Sequence, residues 1–275
     1  MAAPGIDGRL RDAGWCLAVA LVVAAAYLGL GVAVVSIVGE PILGTIVADL
    51  LVVVLVGVVR RARPEWITYA PRSRPAGDTP VWAWTAAGCA VLAFLAGQSV
   101  ALWLYGAVGS TGFDTSVRAR EHAGATAALV LTLVAAPVAE EILFRGLLYP
   151  LARTRVGVGA AVLFTAGVFG ILHGNIVQFA SALPIAVVLT LVYERTRHLW
   201  PCVVVHLGFN LAAIVVPAPV LAGLSNPVSA LLLTAVLAGG ALPLMWKISS
   251  TPTLEASIVE PRRGKAERTT ETQES

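Results

Sequence analysis

The feature that most constrains this chain is a series of apolar runs, each about 20 residues long and nearly free of charge. Each run is close to or above the roughly 18 residues that a helix needs to cross a bilayer. The runs are Trp15–Val38, Pro41–Val59, Pro80–Ala107, Gly124–Ala139, Val156–Leu172, Ile176–Tyr193, Leu199–Val216 and Val228–Trp246. We therefore expect an all-α, polytopic integral membrane protein with about eight transmembrane helices. Counts of seven or nine stay open, because Glu40 and Pro41 barely separate the first two runs and Asp49 interrupts the second.

Composition excludes a water-soluble domain of this size. Of the 275 residues, 57% are hydrophobic and only 13% are charged, and the mean hydropathy is +0.83. Such a chain needs a bilayer as its solvent. The sequence has no Gly-rich phosphate loop and no nucleic-acid-binding motif. We expect membrane lipids as partners and no nucleic acid, while the oligomeric state stays open.

The distribution of cations predicts the topology. With eight spans and a cytoplasmic N-terminus, the outer side receives only Arg118 and Arg120, and most other cations fall inside, as the positive-inside rule requires. The inner set is Arg9, Arg11, Arg60, Arg61, Arg63, Arg72, Arg74, Arg153, Arg155, Arg195, Arg197, Lys247 and the cations of the C-terminal tail. We expect both termini in the cytoplasm and a plasma-membrane location. The first run, at about 24 residues, exceeds a signal-peptide core, so we expect an uncleaved span.

Composition also divides the chain into segments. Residues 1–14 form a cytoplasmic N-terminus, and residues 15–123 hold about three membrane helices with a basic cytoplasmic loop at 60–79 that could contact anionic lipid. The segment Val108–Ala123 is expected to be an outer loop with ordinary loop residues. Residues 124–248 carry the remaining helices. The polar tail, 249–275, has few hydrophobic residues and is predicted to be disordered.

The fourth run continues into a stretch that carries three ionisable residues, Glu140, Glu141 and Arg145. A charged side chain within a span costs at least about 2.5 kcal/mol, so these residues are functional candidates. Glu141 and Arg145 are spaced to pair on one helix face. Adjacent helical residues diverge by about 100°, so we expect the two glutamates not to share a partner and Glu140 to face a cavity. Pro137 predicts a kink one turn earlier. Interfacial anchoring of all three charges is the alternative.

Two later runs contain polar pairs at helical spacing. Phe169 and His173 share a face at the end of the fifth run, and His206 and Asn210 share a face within the seventh. A carboxylate and an imidazole that hold one water can deprotonate it as it attacks a peptide carbonyl. A histidine and an asparagine can donate to the resulting oxyanion. Structural hydrogen bonding between helices is the alternative for both pairs.

The order of these residues carries a resemblance to a known family. The strings EEILFRGLLY, FGILHGN and HLGFN resemble the three motifs of the CAAX-protease and bacteriocin-processing family, which includes the type II prenyl endopeptidases and their bacterial relatives. The family patterns are E-E-x-x-x-R, F-x-x-x-H and H-x-x-x-N. The resemblance covers roughly Thr126–Val216, and the first 120 residues carry no motif.

The resemblance implies an eight-span fold around an intramembrane active-site cavity and an endopeptidase that needs no cofactor. Glu140 and His173 would activate water, and His206 and Asn210 would bind the oxyanion. Supporting roles would fall to Glu141, Arg145 and Phe169. The substrate would be a membrane-associated, lipidated or leader-bearing peptide, and its identity and prenylation are not implied.

Two other readings of the same residues stay open. Glu140, His173 and His206 are an acceptable zinc-ligand set, so a zinc-dependent membrane protease is the enzymatic alternative. The sequence has no H-E-x-x-H, G-x-G-D or G-x-S-G motif of other intramembrane proteases. The second alternative is a non-catalytic membrane scaffold in which the polar residues only join helices.

Overall fold

The structure is a computed structural model that describes residues 6–68 and 80–250, and within those ranges it is helical with no β-strand. The all-α class is confirmed. The helices are α1 (Ile6–Val38), α2 (Pro41–Ala62), α3 (Pro80–Val108), α4 (Thr111–Ala123), α5 (Ala125–Arg153), α6 (Val158–Leu172), α7 (Ile176–Thr196), α8 (Leu199–Val215), α9 (Ala218–Leu224) and α10 (Pro227–Trp246). The predicted disordered tail lies outside the described residues, apart from its first two positions, and so does most of the basic loop.

The described residues give six or seven candidate spans, at the lower end of the seven to nine that the sequence leaves open. Six described helices are long and apolar enough to cross a membrane, namely α1, α2, α3, α5, α7 and α10, and α8 with α9 would form a seventh if that pair, bent by 100°, is one span. The remaining apolar run forms α6, which has 15 residues. At 1.5 Å per residue such a helix is about 22 Å long, shorter than a hydrocarbon core of about 30 Å. All eight predicted runs are helices, but α6 is short for a span.

Helix α7 is the centre of the bundle. In the most apolar 18-residue stretch of α7, 61% of the residues are buried inside the protein, against 6% in the corresponding stretch of α1. Helices α3, α6 and α8 pack around α7. The outer helices instead present large apolar side chains such as Leu21, Val22 and Leu50. An exposed apolar surface of this extent matches a lipid environment. The polar residues of the later helices therefore face an interior built around α7.

The segment expected to be an outer loop is mostly a helix, so that prediction is wrong. Helix α4 begins after Ser110, whose hydroxyl accepts a hydrogen bond from the amide of Phe113 at 3.3 Å. It ends at Gly124, which has a φ of 82°. Serine at the N-cap and glycine after the last turn are ordinary helix boundary signals. The segment lacks an apolar stripe, and this polarity is what favoured a loop.

Helix α5 contains two π-helical turns, Leu131–Ala135 and Phe144–Leu148. Each turn lies just before a proline, Pro137 or Pro150. Proline has no N–H to donate, so it leaves carbonyl groups of the preceding turn without their usual donor. The structure thus has a π turn where Pro137 predicts a kink. The prolines also make backbone carbonyls in this helix available to side chains from other helices.

Candidate active site

One imidazole contacts both adjacent glutamates. Nδ1 of His206 lies 2.8 Å from Oε1 of Glu141, and its Nε2 lies 3.7 Å from Oε2 of Glu140. The expectation that the two glutamates do not share a partner is therefore wrong. Side chains that diverge by about 100° can still reach one ring when its two nitrogens lie on different edges. His206 of α8 thus links the two carboxylates of α5.

The predicted ion pair between Glu141 and Arg145 is present and fully buried. Nη1 of Arg145 lies 2.9 Å from Oε1 of Glu141, and both side chains are at most 1% exposed. Nη2 of Arg145 also donates to the carbonyl of Ala186 on α7 at 2.9 Å. A carboxylate paired with a guanidinium can only accept hydrogen bonds, so Nδ1 of His206 is the donor to Glu141. Nε2 of His206 is the nitrogen nearer to Glu140.

The ring of Phe169 brings the motifs together. It packs edge-on against His173, with ring centroids 4.9 Å apart, and against His206, with centroids 5.9 Å apart. The guanidinium carbon of Arg145 lies 5.0 Å from the same ring centroid. One residue from each of the three motif segments, Arg145, His173 and His206, thus packs against this one buried aromatic ring.

His173 follows the last residue of α6 and has a defined hydrogen bond. Its Nδ1 lies 2.9 Å from the carbonyl oxygen of Phe169. A carbonyl only accepts, so Nδ1 carries the proton and Nε2 of the neutral ring is an acceptor. Within the described residues, no hydrogen bond or ion pair joins His173 to Glu140, whose ion-pair contact is with His206. Direct contact between Glu140 and His173 is absent from this part of the chain.

Asn210 is held by a backbone carbonyl that the sequence reasoning missed. Its Nδ2 donates to the carbonyl of Thr132 at 2.8 Å. Thr132 lies in the first π turn of α5, where the amide of Ala136 bonds to Leu131. The next amide along the chain belongs to Pro137, which has no N–H, so Asn210 supplies a donor that the backbone lacks. The signal for this contact was the proline itself.

A cavity of about 340 Å³ opens beside these residues. Its polar lining includes Gln98, Arg120, Thr132, His173, Gln178, Ser181, His206 and Asn210. Phe169 contributes to its apolar wall. Three of the four predicted catalytic residues therefore line one cavity. The fourth, Glu140, contacts His206, which is one of the lining residues.

The structure adds two N-terminal residues to the surroundings of Glu140. Asp49 of α2 is 1% exposed, and its Oδ2 has no hydrogen-bond partner within the described residues. The carboxylates of Asp49 and Glu140 lie close enough to interact electrostatically, and Tyr27 of α1 interacts with both. The available signal was a lone aspartate within an apolar run, which we interpreted only as an interruption of the span.

The described residues do not fit the zinc alternative. No three His, Cys, Asp or Glu side chains of this part of the chain are grouped so that they could hold a metal ion. His206 contacts Glu140, but His173 does not join them as a third ligand. Glu140, His173 and His206 therefore form no metal-ligand set in this arrangement.

Comparison with known proteins agrees with the geometry. The model of a family described as "Type II CAAX prenyl endopeptidase Rce1-like" matches residues 122–212, which contain every site residue predicted from the sequence. The match supports the resemblance to the CAAX-protease and bacteriocin-processing family over this part of the chain. The family match begins near the end of α4, so the roles of α1, α2 and α3 rest on the structure alone.

A curated relative agrees with this likeness. The Bacillus subtilis (strain 168) protein named "Putative membrane peptidase YdiL" is 23% identical over 138 residues, which are 46% of this chain and 57% of that protein. This chain thus spans a little more than half the length of that relative. No solved structure gives a significant match.

Proposed function

We propose that this protein is an intramembrane endopeptidase that hydrolyses a peptide bond in a membrane-associated, lipidated or leader-bearing peptide without a metal ion. The observation that carries the proposal is the imidazole of His206 between Glu140 and Glu141, beside a cavity that His173 and Asn210 also line. Burial of carboxylates and imidazoles within a membrane protein costs free energy, so such groups beside a cavity are functional candidates.

Water activation falls to Glu140 and His173. The water oxygen bonds to the peptide carbonyl carbon while its proton passes to the carboxylate of Glu140. His173 holds the water through Nε2, because Nδ1 is occupied by the carbonyl of Phe169. When the C–N bond breaks, the same proton passes to the leaving amine. The 3.7 Å between Glu140 and His206 gives Nε2 of His206 access to this proton as well.

Oxyanion binding falls to His206 and Asn210. The amide of Asn210 has two N–H groups, and one remains for the oxyanion while the other donates to Thr132. His206 can donate from Nε2 when both ring nitrogens carry protons, and the two glutamates then balance the charge of the imidazolium. Removal of one such donor from other hydrolases costs about 2.7–4 kcal/mol of transition-state stabilisation.

Glu141 and Arg145 position His206 and take no part in bond making. The carboxylate of Glu141 holds Nδ1 of His206, while Arg145 fixes that carboxylate and is itself fixed by the Ala186 carbonyl. This chain of contacts sets the tautomer and orientation of the imidazole. We also propose that the protein resides in the plasma membrane with both termini in the cytoplasm.

A proteomic comparison tests the proposal against a non-catalytic scaffold. Membranes from cells that produce the wild type, Glu140→Gln or Glu121→Gln are compared by mass spectrometry of new peptide termini. Glu121 is exposed on α4 and provides the same chemical change outside the site. The proposal expects fragments that disappear only in Glu140→Gln. Identical fragments in all three samples would favour a scaffold.

A further inference from the structure

Arg120 is a cation in the cavity wall without a partner in the described structure. It lies on α4, is only partly exposed, and lines the same cavity as His173 and Asn210. Within residues 6–68 and 80–250, no hydrogen bond or ion pair is found for its guanidinium. Asp114, an acid on the same helix, accepts a hydrogen bond from the hydroxyl of Tyr105 at 2.6 Å.

The surroundings of Arg120 leave its charge without compensation. Burial lowers the pKa of Arg120 from its usual value, and no acidic side chain acts against that effect. The residues that line the cavity include no aspartate or glutamate. A half-buried guanidinium in a low-dielectric wall attracts an anion more strongly than one in water does.

Neighbouring groups in the wall can add hydrogen bonds to a bound anion. Gln178 uses its Oε1 to accept from Asn175, which leaves the N–H groups of its amide as donors. The amide of Gln98 lines the same cavity, whereas the hydroxyl of Ser181 already donates to the carbonyl of Gln178 at 3.1 Å. The two amides are neutral donors in the wall that also holds the Arg120 cation, a combination that suits a planar carboxylate, which arginine can bind through two parallel hydrogen bonds.

We propose that Arg120 binds a carboxylate of the peptide substrate in the cavity beside His173 and Asn210. The inference rests on the proposed peptidase function and adds a specificity determinant to it. The carboxylate is either the C-terminal group of the peptide or an aspartate or glutamate side chain. In both cases a peptide with the carboxylate is preferred over its amide counterpart.

The first test measures binding and needs no turnover. Hexanoate and hexanamide have the same chain length and differ in charge, and their binding to the detergent-solubilised full chain is measured by ligand-observed NMR. The wild type is expected to prefer hexanoate by at least about tenfold, as hydrogen bonds to charged groups allow. Arg120→Gln is expected to lose this preference, whereas Arg120→Lys should keep part of it because it retains the charge.

Arg118→Gln is the matched control, since Arg118 is exposed on the same helix. It should keep the wild-type preference, and thermal unfolding of each variant reports whether the fold is retained. The inference is overturned if the wild type shows no preference for hexanoate, or if folded Arg120→Gln keeps it. It is also overturned if Arg118→Gln loses it, because the effect would then come from surface charge.

A second experiment identifies the source of the carboxylate. Four matched apolar peptides, with a C-terminal carboxylate or amide and with an internal aspartate or asparagine, compete with hexanoate for the wild type. Displacement by the free C-terminus or by the aspartate peptide identifies the group, and displacement by neither overturns the inference. Carboxylate preference without Glu140-dependent cleavage would reject the peptidase alone, and cleavage without that preference would reject the role of Arg120 alone.

Discussion

Nδ1 of His206 lies 2.8 Å from Oε1 of Glu141, although 65 residues separate the two in the chain. The same carboxylate oxygen accepts from Arg145, which also donates to the Ala186 carbonyl. Helices α5, α7 and α8 are thereby joined through one buried set of charges. The orientation of His206 depends on these contacts. Variants of Glu141 and Arg145 therefore test stability, and variants of the residues that face the cavity test catalysis.

The buried ion pair is expected to dominate local stability. Arg145→Met leaves the Glu141 carboxylate buried without its cation, and we expect a loss of about 3–5 kcal/mol in the free energy of unfolding. The double variant Glu141→Leu/Arg145→Met removes both charges and should recover most of that loss while staying inactive. Thermal unfolding in detergent measures both effects.

Arg63→Met is the control for this prediction. Arg63 and Glu65 are 3.8 Å apart, and both side chains are about 60% exposed, so loss of that pair should change stability by less than about 1 kcal/mol. Equal losses in Arg63→Met and Arg145→Met would contradict the assignment of Glu141 and Arg145 to a buried structural pair.

Asn210→Ala should lower the cleavage rate much more than it lowers stability. The rate should fall by about 10²–10³-fold through loss of an oxyanion donor, and the hydrogen bond to Thr132 is worth about 1 kcal/mol. Asn226→Ala is the matched control, because Asn226 caps α10 through Ser229 and its loss also costs about 1 kcal/mol. Similar cleavage rates in the two variants would remove Asn210 from the mechanism.

Asp49→Asn is expected to raise the stability of the protein. The substitution keeps the shape of the side chain, removes a charge that interacts with Glu140, and changes a buried oxygen that has no partner in the described residues. Removal of one of two neighbouring buried negative charges relieves their repulsion, so the unfolding temperature should increase. A lower unfolding temperature would mean that the carboxylate of Asp49 has a stabilising contact of its own.

Chelators should leave cleavage unchanged. The described residues contain no group of three His, Cys, Asp or Glu side chains suited to a metal ion. Treatment of the purified protein with 1,10-phenanthroline, followed by metal analysis and a cleavage assay, is expected to give full activity without bound metal. Inactivation with loss of one equivalent of zinc, and recovery on its return, would favour the metalloprotease alternative.

The helical segments and the motif residues were predictable because both depend on local patterns. Each of the eight apolar runs became a helix, and the spacing of Glu141 and Arg145 correctly gave their ion pair. Helix α4 was missed because its polarity favoured a loop, although Ser110 and Gly124 were boundary signals.

The partners of the motif residues could not be read from spacing. The contact of His206 with both glutamates depends on the approach of α8 to α5, which periodicity along one helix does not determine. The role of Pro137 in exposing the Thr132 carbonyl required the π turn, and the proximity of Asp49 to Glu140 required the packing of α2 against α5. Long-range packing therefore decided what the sequence left open.

The most direct test of the central claim is the cleavage rate of the purified protein in liposomes, on a substrate identified from the terminus comparison. Glu140→Gln should keep the wild-type unfolding temperature and lose about 10²–10⁴-fold in rate, the usual contribution of a general base. A folded Glu140→Gln protein that cleaves at the wild-type rate would contradict the account.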